Sequence, residues 1–211
     1  YTKVDFGEYG ADSLTVRIIH WHTNEPVEIR VWCGKPHEGR LVGSFTYQAD
    51  FIWQTYQDNT FTLSEPLCGE QDIYFEFGEH EQRIYFGGFV FTPRLKAYQK
   101  LNAAQADLIH GDSFEISGSR VLGIGNNVVL EFGGMDFRKG ISALELTGRT
   151  RHDNDSVHIH VVGETKLREI VEFPGSSDFT TVKVPFSSFS GKASVQLQFL
   201  PGCDFDLDSF R

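Results

Sequence analysis

The chain has 211 residues, 40% apolar and 23% charged, a composition typical of globular proteins with buried cores. Its 19 basic and 29 acidic residues give a net charge of −10 at pH 7, which disfavours binding to nucleic acids and to anionic membranes. No apolar run reaches the roughly 20 residues that a membrane-spanning helix needs, and no signal-peptide pattern opens the sequence.

Short segments rich in β-branched and aromatic residues follow one another along the chain and predict strands. In chain order they are SLTVRIIHW, VEIRVW, DIYFEF, RIYFGGFVF, VVLEF, ALELTG, VHIHVV, TVKVPF and VQLQF. Turn-forming stretches separate them, and only residues 96–111 could pass for a helix, a reading that Gly111 and the polar alternation disfavour. We therefore predict an all-β chain.

An internal repeat organises these segments into two halves. DFGEYGADSLTVR at residues 5–17 resembles DFRKGISALELTGR at residues 136–149, and later elements recur in the same order. Two copies of this size suit β-sandwich domains. We predict two jelly-roll sandwiches in tandem, at residues 1–96 and 97–211, with a linker near residues 92–98.

The two copies differ in what precedes the repeat. About 30 residues separate the linker from DFRKG in the second copy, whereas only YTKV precedes DFGEYG in the first. We therefore expect the first domain to lack its opening strands unless another segment supplies them.

The order of these motifs resembles family 6 carbohydrate-binding modules, which are jelly-roll β-sandwiches. The resemblance rests on VDFG, E-I-R-V, a loop with WQTY, and DIYFEF. In the second half, IGNNVVLEFGGMDF and FLPGCDFDLDSFR are similar to the tail domains of bacterial family 2 glycoside hydrolases, chiefly β-galactosidases. The two resemblances imply noncatalytic modules from the C-terminal end of a glycosidase, with its catalytic domains and an oligo- or polysaccharide as partners.

The loop ADFIWQTYQDN places Trp53 among polar residues, where its large apolar face lies near water unless something covers it. The family resemblance implies that Trp53 forms one wall of a sugar site at the loop end of the sandwich. A pyranose offers its C–H face to such a ring, and polar neighbours such as Gln54 would bond its hydroxyls. Alternatively, Trp53 packs under its own loop or against the second domain. Tyr56 alternates away from Trp53 and is expected to enter the core.

The family site also uses an asparagine that opens the last strand. Tyr85 stands at that position in the first domain, where it could stack or donate one hydrogen bond, or be an ordinary strand aromatic. In the second domain Ser176 matches Trp53, so the aromatic wall is absent and a structural role is favoured. The remaining polar candidates of the second domain are Asn126, Asn127 and Asp206.

Family 6 modules also hold a structural calcium ion between the first strand and an aspartate of the last strand. Asp208 matches that aspartate, but Ala103 and Gln105 replace the first-strand carboxylates. Hard cations prefer several charged oxygens, so Asp208 with Gln105 is left as the calcium candidate and no other cofactor is expected. In the first domain Gly87 takes the aspartate position, which argues against calcium there.

Two histidine pairs, His20 with His22 and His158 with His160, have the spacing that places both rings on one face of a strand. A metal site would need a third ligand, and none is evident. Packing across the sheet is the simpler interpretation.

The three cysteines, Cys33, Cys68 and Cys203, are odd in number and lack metal-ligand spacing. This favours free thiols and a reducing, cytoplasmic compartment, while a Cys33–Cys68 bridge and secretion stay open.

No G-x-S-x-G, H-E-x-x-H or phosphate-binding loop occurs, so we expect no catalysis by these residues. If the parent resembles a β-galactosidase, its catalytic carboxylates lie upstream. Three functions remain open: a carbohydrate-binding module, a structural or oligomerisation domain of an enzyme, and a small hydrolase with a close carboxylate pair.

Overall fold

The computed structural model describes residues 1–20, 26–48, 50, 52–79 and 84–211. The chain divides into two compact units, unit 1 (Tyr1–Arg94) and unit 2 (Leu95–Arg211). The described residues form strands, together with one-turn 3₁₀ helices at Lys96–Tyr98 and Ala103–Gln105, and they include no α-helix. The predicted all-β fold is confirmed. None of the described segments is a helix long and apolar enough to span a membrane.

Unit 1 is built from antiparallel strands. They are β1 (Val4–Asp5), β2 (Ala11–His20), β3 (Val27–Cys33), β4 (Arg40–Tyr47), β5 (Gln57–Leu67), β6 (Glu70–Gln71), β7 (Ile73–Phe77) and β8 (Ile84–Pro93). Two three-stranded sheets have the orders β5-β2-β8 and β4-β3-β7, and β1 pairs with β6.

Alternation of side chains along the strands forms the core of unit 1. In β3, Val27, Ile29 and Val31 are buried, while Glu28 and Arg30 between them reach the surface. The core also includes one large polar aromatic, Tyr47, whose hydroxyl donates to the Ile18 carbonyl at 3.3 Å. The buried residues of this core are Leu14, Val16, Ile18, Val27, Ile29, Val31, Val42, Tyr47, Leu63, Leu67 and Ile73.

Unit 2 contains more strands than unit 1. They are β9 (Leu101–Asn102), β10 (Leu108–His110), β11 (Glu115–Ser117), β12 (Arg120–Ile124), β13 (Val128–Asp136), β14 (Ile141–Thr150), β15 (Asn154–Gly163), β16 (Lys166–Pro174), β17 (Thr180–Phe189), β18 (Lys192–Phe199) and β19 (Phe205–Phe210). One sheet has the order β10-β13-β18-β15-β16. The other has the order β11-β12-β19-β14-β17, with β9 also paired to β19.

The internal repeat is visible in the strand pairing. β2 lies between β5 and β8, as β14 lies between β17 and β19. A threonine pair bridges the corresponding strands in each unit, Thr15 with Thr60 at 2.7 Å and Thr147 with Thr181 at 2.8 Å. β12 and β13 extend the sheets of unit 2 beyond β19 and β18. Within the described part of unit 1, β8 pairs only with β2, and β7 pairs with β3 and bonds to Tyr1 at Ile73.

Candidate functional site

The loop between β4 and β5 presents Trp53 to solvent. The backbone N–H of Thr55 donates to the Ile52 carbonyl at 3.2 Å, and the Thr55 hydroxyl donates to the Trp53 carbonyl at 3.1 Å. Gln54 has a φ of +51°, a left-handed conformation that tightens this turn. The result is an indole that is 56% exposed, with Gln54 exposed beside it.

The prediction that Tyr56 enters the core is wrong. Its side chain is 46% exposed, and its ring lies on the backbone of β8 at Gly87. A Cβ on Gly87 would stand 2.5 Å from Cε1 of Tyr56, so only glycine admits the ring in this position. Gly87 lies in a β-bulge: Arg17 pairs with Gly88 and Ile18 with Phe86, which leaves Gly87 as the extra residue.

Tyr85 lies at the same end of unit 1 as the Trp53 loop. It pairs with Ile19 on one side of β2, and Gln57, where the loop enters β5, pairs with Ile18 on the other side. Its side chain is 43% exposed. The structure therefore brings Trp53, Tyr56 and Tyr85 to one end of the sandwich as exposed aromatic side chains.

The polar candidates of unit 2 take part in bonds within the unit. Oδ1 of Asn126 accepts from the Gly202 N–H at 2.9 Å. Asn127 has a φ of +53°, and its amide donates to Asp112 at 3.4 Å. Ser176, the counterpart of Trp53, accepts from the Asp178 N–H at 3.1 Å.

Asp206 is fully buried among donors. Its Oδ1 accepts from the Gly123 N–H at 2.8 Å, and its Oδ2 accepts from Arg149 at 2.8 Å and from Arg151 at 3.1 Å. Burial alone would raise the pKa of Asp206, but the Gly123 bond and the two guanidinium groups outweigh it, and the pKa lies below its usual range. A ligand would have to displace one of these bonds to reach this carboxylate.

Asp208 and Gln105, the calcium candidates, have other partners. Oδ1 of Asp208 accepts from Arg120 Nε at 2.7 Å, and its Oδ2 accepts from Lys100 Nζ at 3.3 Å and from the Ser209 hydroxyl at 2.9 Å. Oε1 of Gln105 accepts from the Asn102 N–H at 2.9 Å. Calcium prefers a cage of oxygens, whereas the groups on Asp208 are cationic, so these residues do not fit the ion.

The histidine pairs have different outcomes. His158 lies opposite Gln198 and Ile170 in the sheet, and His160 lies opposite Gln196 and Arg168. Burial, together with the charges of Arg168 and His158, lowers the pKa of His160. The described residues contain no group of three metal-ligating side chains. His22 and the side chain of His20 lie outside the described residues.

All three cysteines are free, so the Cys33–Cys68 bridge does not form. Cys33 donates to Oε1 of Gln71 at 2.8 Å, and Cys68 is exposed. Burial raises the pKa of the Cys203 thiol to about 11, which keeps it protonated near neutral pH.

Sequence reasoning missed a polar and aromatic cluster on the surface of the β4-β3-β7 sheet. The Trp32 indole N–H donates to Oε2 of Glu76 at 2.8 Å, and the Trp32 and His37 rings lie 5.2 Å apart. His37 and Arg30 contact Oε1 of Glu76 at 3.2 Å and 3.6 Å. The alternation in VEIRVW already places Trp32 and Arg30 on the outer face, but Glu76 is 44 residues away from Trp32 in the sequence.

Known proteins are similar to this chain in two respects, the sequence of its first half and its fold. Residues 1–93, which make up most of unit 1, match the family model "Carbohydrate binding module (family 6)". No curated protein matches the chain.

Several solved structures are similar to the chain. A family 6 module from Clostridium stercorarium in complex with cellobiose has 16% identity and a TM-score of 0.48, over 54% of this chain and 92% of that one. A β-1,3-glucan-binding family 6 module from Bacillus halodurans has 16% identity and a TM-score of 0.47, over 54% and 94%. A family 43 arabinoxylan arabinofuranohydrolase from Bacillus subtilis has 11% identity and a TM-score of 0.47, over 92% and 53%.

Proposed function

We propose that unit 1 binds a carbohydrate through the loop that carries Trp53, and that a sugar ring stacks on its indole. The observation that carries the proposal is the 56% exposure of Trp53 on a turn closed by the Thr55–Ile52 backbone bond. Covering this apolar face with the C–H face of a pyranose removes both surfaces from water.

The neighbouring side chains support the same chemistry. Tyr56 and Tyr85, which are 46% and 43% exposed, each offer a ring face and a hydroxyl that can donate and accept. Gln54 adds an exposed amide with both donor and acceptor groups. Such a combination of apolar faces and a few polar groups is what orients a sugar in a site.

The energies involved are modest. By analogy with base stacking, one aromatic platform contributes on the order of 1–3 kcal/mol. A dissociation constant near 1 mM needs about 4 kcal/mol, so the platform and a few hydrogen bonds suffice. We therefore expect weak binding to single sugars and stronger binding to chains that engage several sites at once.

We further propose that the chain is a noncatalytic accessory region of a bacterial glycoside hydrolase of β-galactosidase type. The basis of this proposal is the resemblance of IGNNVVLEFGGMDF and FLPGCDFDLDSFR to the tail domains of these enzymes. In this role the module holds the catalytic domains near an oligo- or polysaccharide. The purified chain should leave a nitrophenyl galactoside intact, and turnover by a preparation free of other enzymes would contradict the noncatalytic role.

A structural role is the second candidate, and the observations in unit 2 favour it there. Asn126 and Asp206 are engaged in bonds within the unit, and Ser176 offers no aromatic face. We propose that unit 2 serves as a structural or oligomerisation domain of the same enzyme.

The binding proposal is tested by replacing the platform. Trp53→Ala should abolish retention on galactan, glucan or xylan in affinity electrophoresis, because the stacking surface is lost. Tyr85→Ala should weaken retention less, since Tyr85 supplies one bond or a partial face. Ile170→Ala, which removes a 60% exposed side chain in unit 2, is the matched control and should bind as the wild type does.

Thermal melts separate recognition from folding. An exposed Trp contributes little to the core, so Trp53→Ala should melt near the wild-type temperature. A core Trp would instead cost about 3–5 kcal/mol on truncation. Unfolding of the Trp53→Ala variant, or no retention of the wild type by any glycan, would favour the structural role for unit 1 as well.

A further inference from the structure

The Asp208 side chain on β19 is bonded to residues at the starts of β9 and β12, and each of these two strands pairs with β19 at only a few positions. β9 pairs with β19 at two positions, Asn102 with Ser209 and Leu101 with Phe210. β12 pairs with β19 only on either side of an irregularity, at Val121 and at Ile124. Because the backbone bonds are few, side-chain bonds across these strands add to the burial of Leu101, Val121 and Ile124 in holding them.

The two cationic side chains that contact Asp208 come from the starts of β9 and β12. Lys100 directly precedes β9, and Arg120 is the first residue of β12. Both reach the Asp208 side chain, which is only 14% exposed. A carboxylate in a partly desolvated position is stabilised by charge-assisted bonds of this kind more than an exposed one would be.

The Arg120 side chain is held in place from a second direction. Its guanidinium lies 4.4 Å from the centre of the Phe179 ring, and Arg149 lies over the same ring at 4.8 Å. Stacking on an aromatic face fixes the plane of the guanidinium. Arg120 is therefore a positioned cation and not a freely moving surface charge.

The local charge also disfavours a divalent ion. One carboxylate with two monovalent cations carries a net charge of +1, and like charges a few ångströms apart repel each other. Gln105, which would be the neutral ligand of the ion, already accepts a hydrogen bond from the Asn102 N–H through Oε1.

We propose that Lys100 and Arg120 replace the structural calcium ion that the family 6 resemblance implies, so that β9 and β12 are held to β19 by protein cations and need no metal. Unit 2 would then keep its fold wherever calcium is scarce.

Hydrogen exchange of the full chain tests the proposal without any substitution. Peptides that contain β9, β12 and β19 should exchange at the same rate in calcium chloride and in EDTA. Faster exchange of these peptides in EDTA, or slower exchange when calcium is added to metal-free protein, would overturn the proposal.

Removing the cations gives the complementary test. The double variant Lys100→Met, Arg120→Gln should exchange about tenfold faster in β9 and β12, because Asp208 loses its charge-assisted bonds. Lys166→Met in β16 removes an exposed lysine that has no ion pair in the described part of the chain, and it should exchange as the wild type does. Unchanged exchange in the double variant would also overturn the proposal.

Discussion

The two units share a frame of paired strands and differ in how the edges of that frame are covered. In unit 2, β13 covers β18 and β12 covers β19, and the facing residues Val195, Leu197 and Leu207 are fully buried. In the described part of unit 1, β7 and β8 have no such neighbours along most of their length. Their inward phenylalanines are consequently only half-buried, whereas Ile73, which bonds to Tyr1, is fully buried.

Unit 1 fills the corresponding space with larger side chains. Phe75 occupies the register of Val195, and Phe77 that of Leu197. The centre of the Phe75 ring lies 4.7 Å from that of Phe89 and 5.2 Å from that of Phe86. The centres of the Tyr1 and Phe89 rings are 4.6 Å apart. An aromatic cluster in unit 1 therefore does part of what two added strands do in unit 2. The same strand frame tolerates either solution because its central strands have corresponding neighbours in the two units.

The largest expected effect comes from the covering strand of unit 2. Phe132 of β13 is fully buried and packs against Phe210 at 4.5 Å. Phe132→Ala should lower the free energy of unfolding of unit 2 by about 3–5 kcal/mol, because it leaves a cavity in a close-packed interior. Hydrogen exchange of core amides measures each unit separately. A loss below about 1 kcal/mol would show that β13 is not an integral part of this core.

A smaller effect is expected in the aromatic cluster of unit 1. Phe89 is only half-buried, so Phe89→Ala should cost about 1–2 kcal/mol, the remainder of its surface being already in contact with water. The same exchange experiment on the β2 amides measures it. A cost equal to that of Phe132→Ala would mean that the β7 and β8 edges are covered after all.

The loop end of unit 2 adds a pH dependence. Asp155, which is buried, accepts from the Thr150 hydroxyl and bonds Nδ1 of His152 at 3.1 Å. This bond and the Asp155 charge raise the pKa of His152, with smaller contributions from Asp204 and Asp153. The stabilisation is therefore complete below the ordinary pKa of about 6.5 and is lost as the pH rises through the higher folded value.

Replacing the buried carboxylate should remove this effect. Asp155→Asn should return the His152 pKa toward about 6.5, as followed by NMR of the imidazole protons. Asp153→Asn, which removes only a minor charge, is the matched control and should lower the pKa less. Equal shifts in the two variants would contradict the role of the Asp155 bond.

The smallest effects should be the same in both units. Thr60→Val and Thr181→Val each break one exposed threonine pair and should each cost about 0.5 kcal/mol. Unit-resolved exchange at the two strand pairs provides the comparison. If the two variants lose clearly different amounts of stability, the corresponding strand pairs of the two units are not energetically equivalent.

The strands were predictable because alternation and β-branched residues mark them locally. In β3, the buried Val27, Ile29 and Val31 follow directly from the pattern of VEIRVW. For Trp53 the sequence left two outcomes open, an exposed ring and a ring packed under its own loop or against the second domain, and the structure shows the exposed one.

The position of Tyr56 was not predictable from alternation. The left-handed residue Gln54 reverses the chain before β5, so strand periodicity does not extend through the loop. The bulge at Gly87, 31 residues after Tyr56 in the sequence, provides the surface on which the Tyr56 ring lies. A similar limit applies to Asp208, whose partner Lys100 is 108 residues away, because a family pattern transfers positions but not the cations around them.

The contact between Tyr56 and Gly87 has a consequence for the cost of recognition. A loop that is loose before binding must lose conformational entropy when it closes on a ligand, and that loss weakens affinity. The Tyr56 ring contacts β8 at Gly87, and the Thr55–Ile52 bond closes the turn around Trp53. The turn that carries the indole is thus closed before any ligand arrives, and a sugar that stacks on Trp53 as proposed would pay little to order residues 52–56.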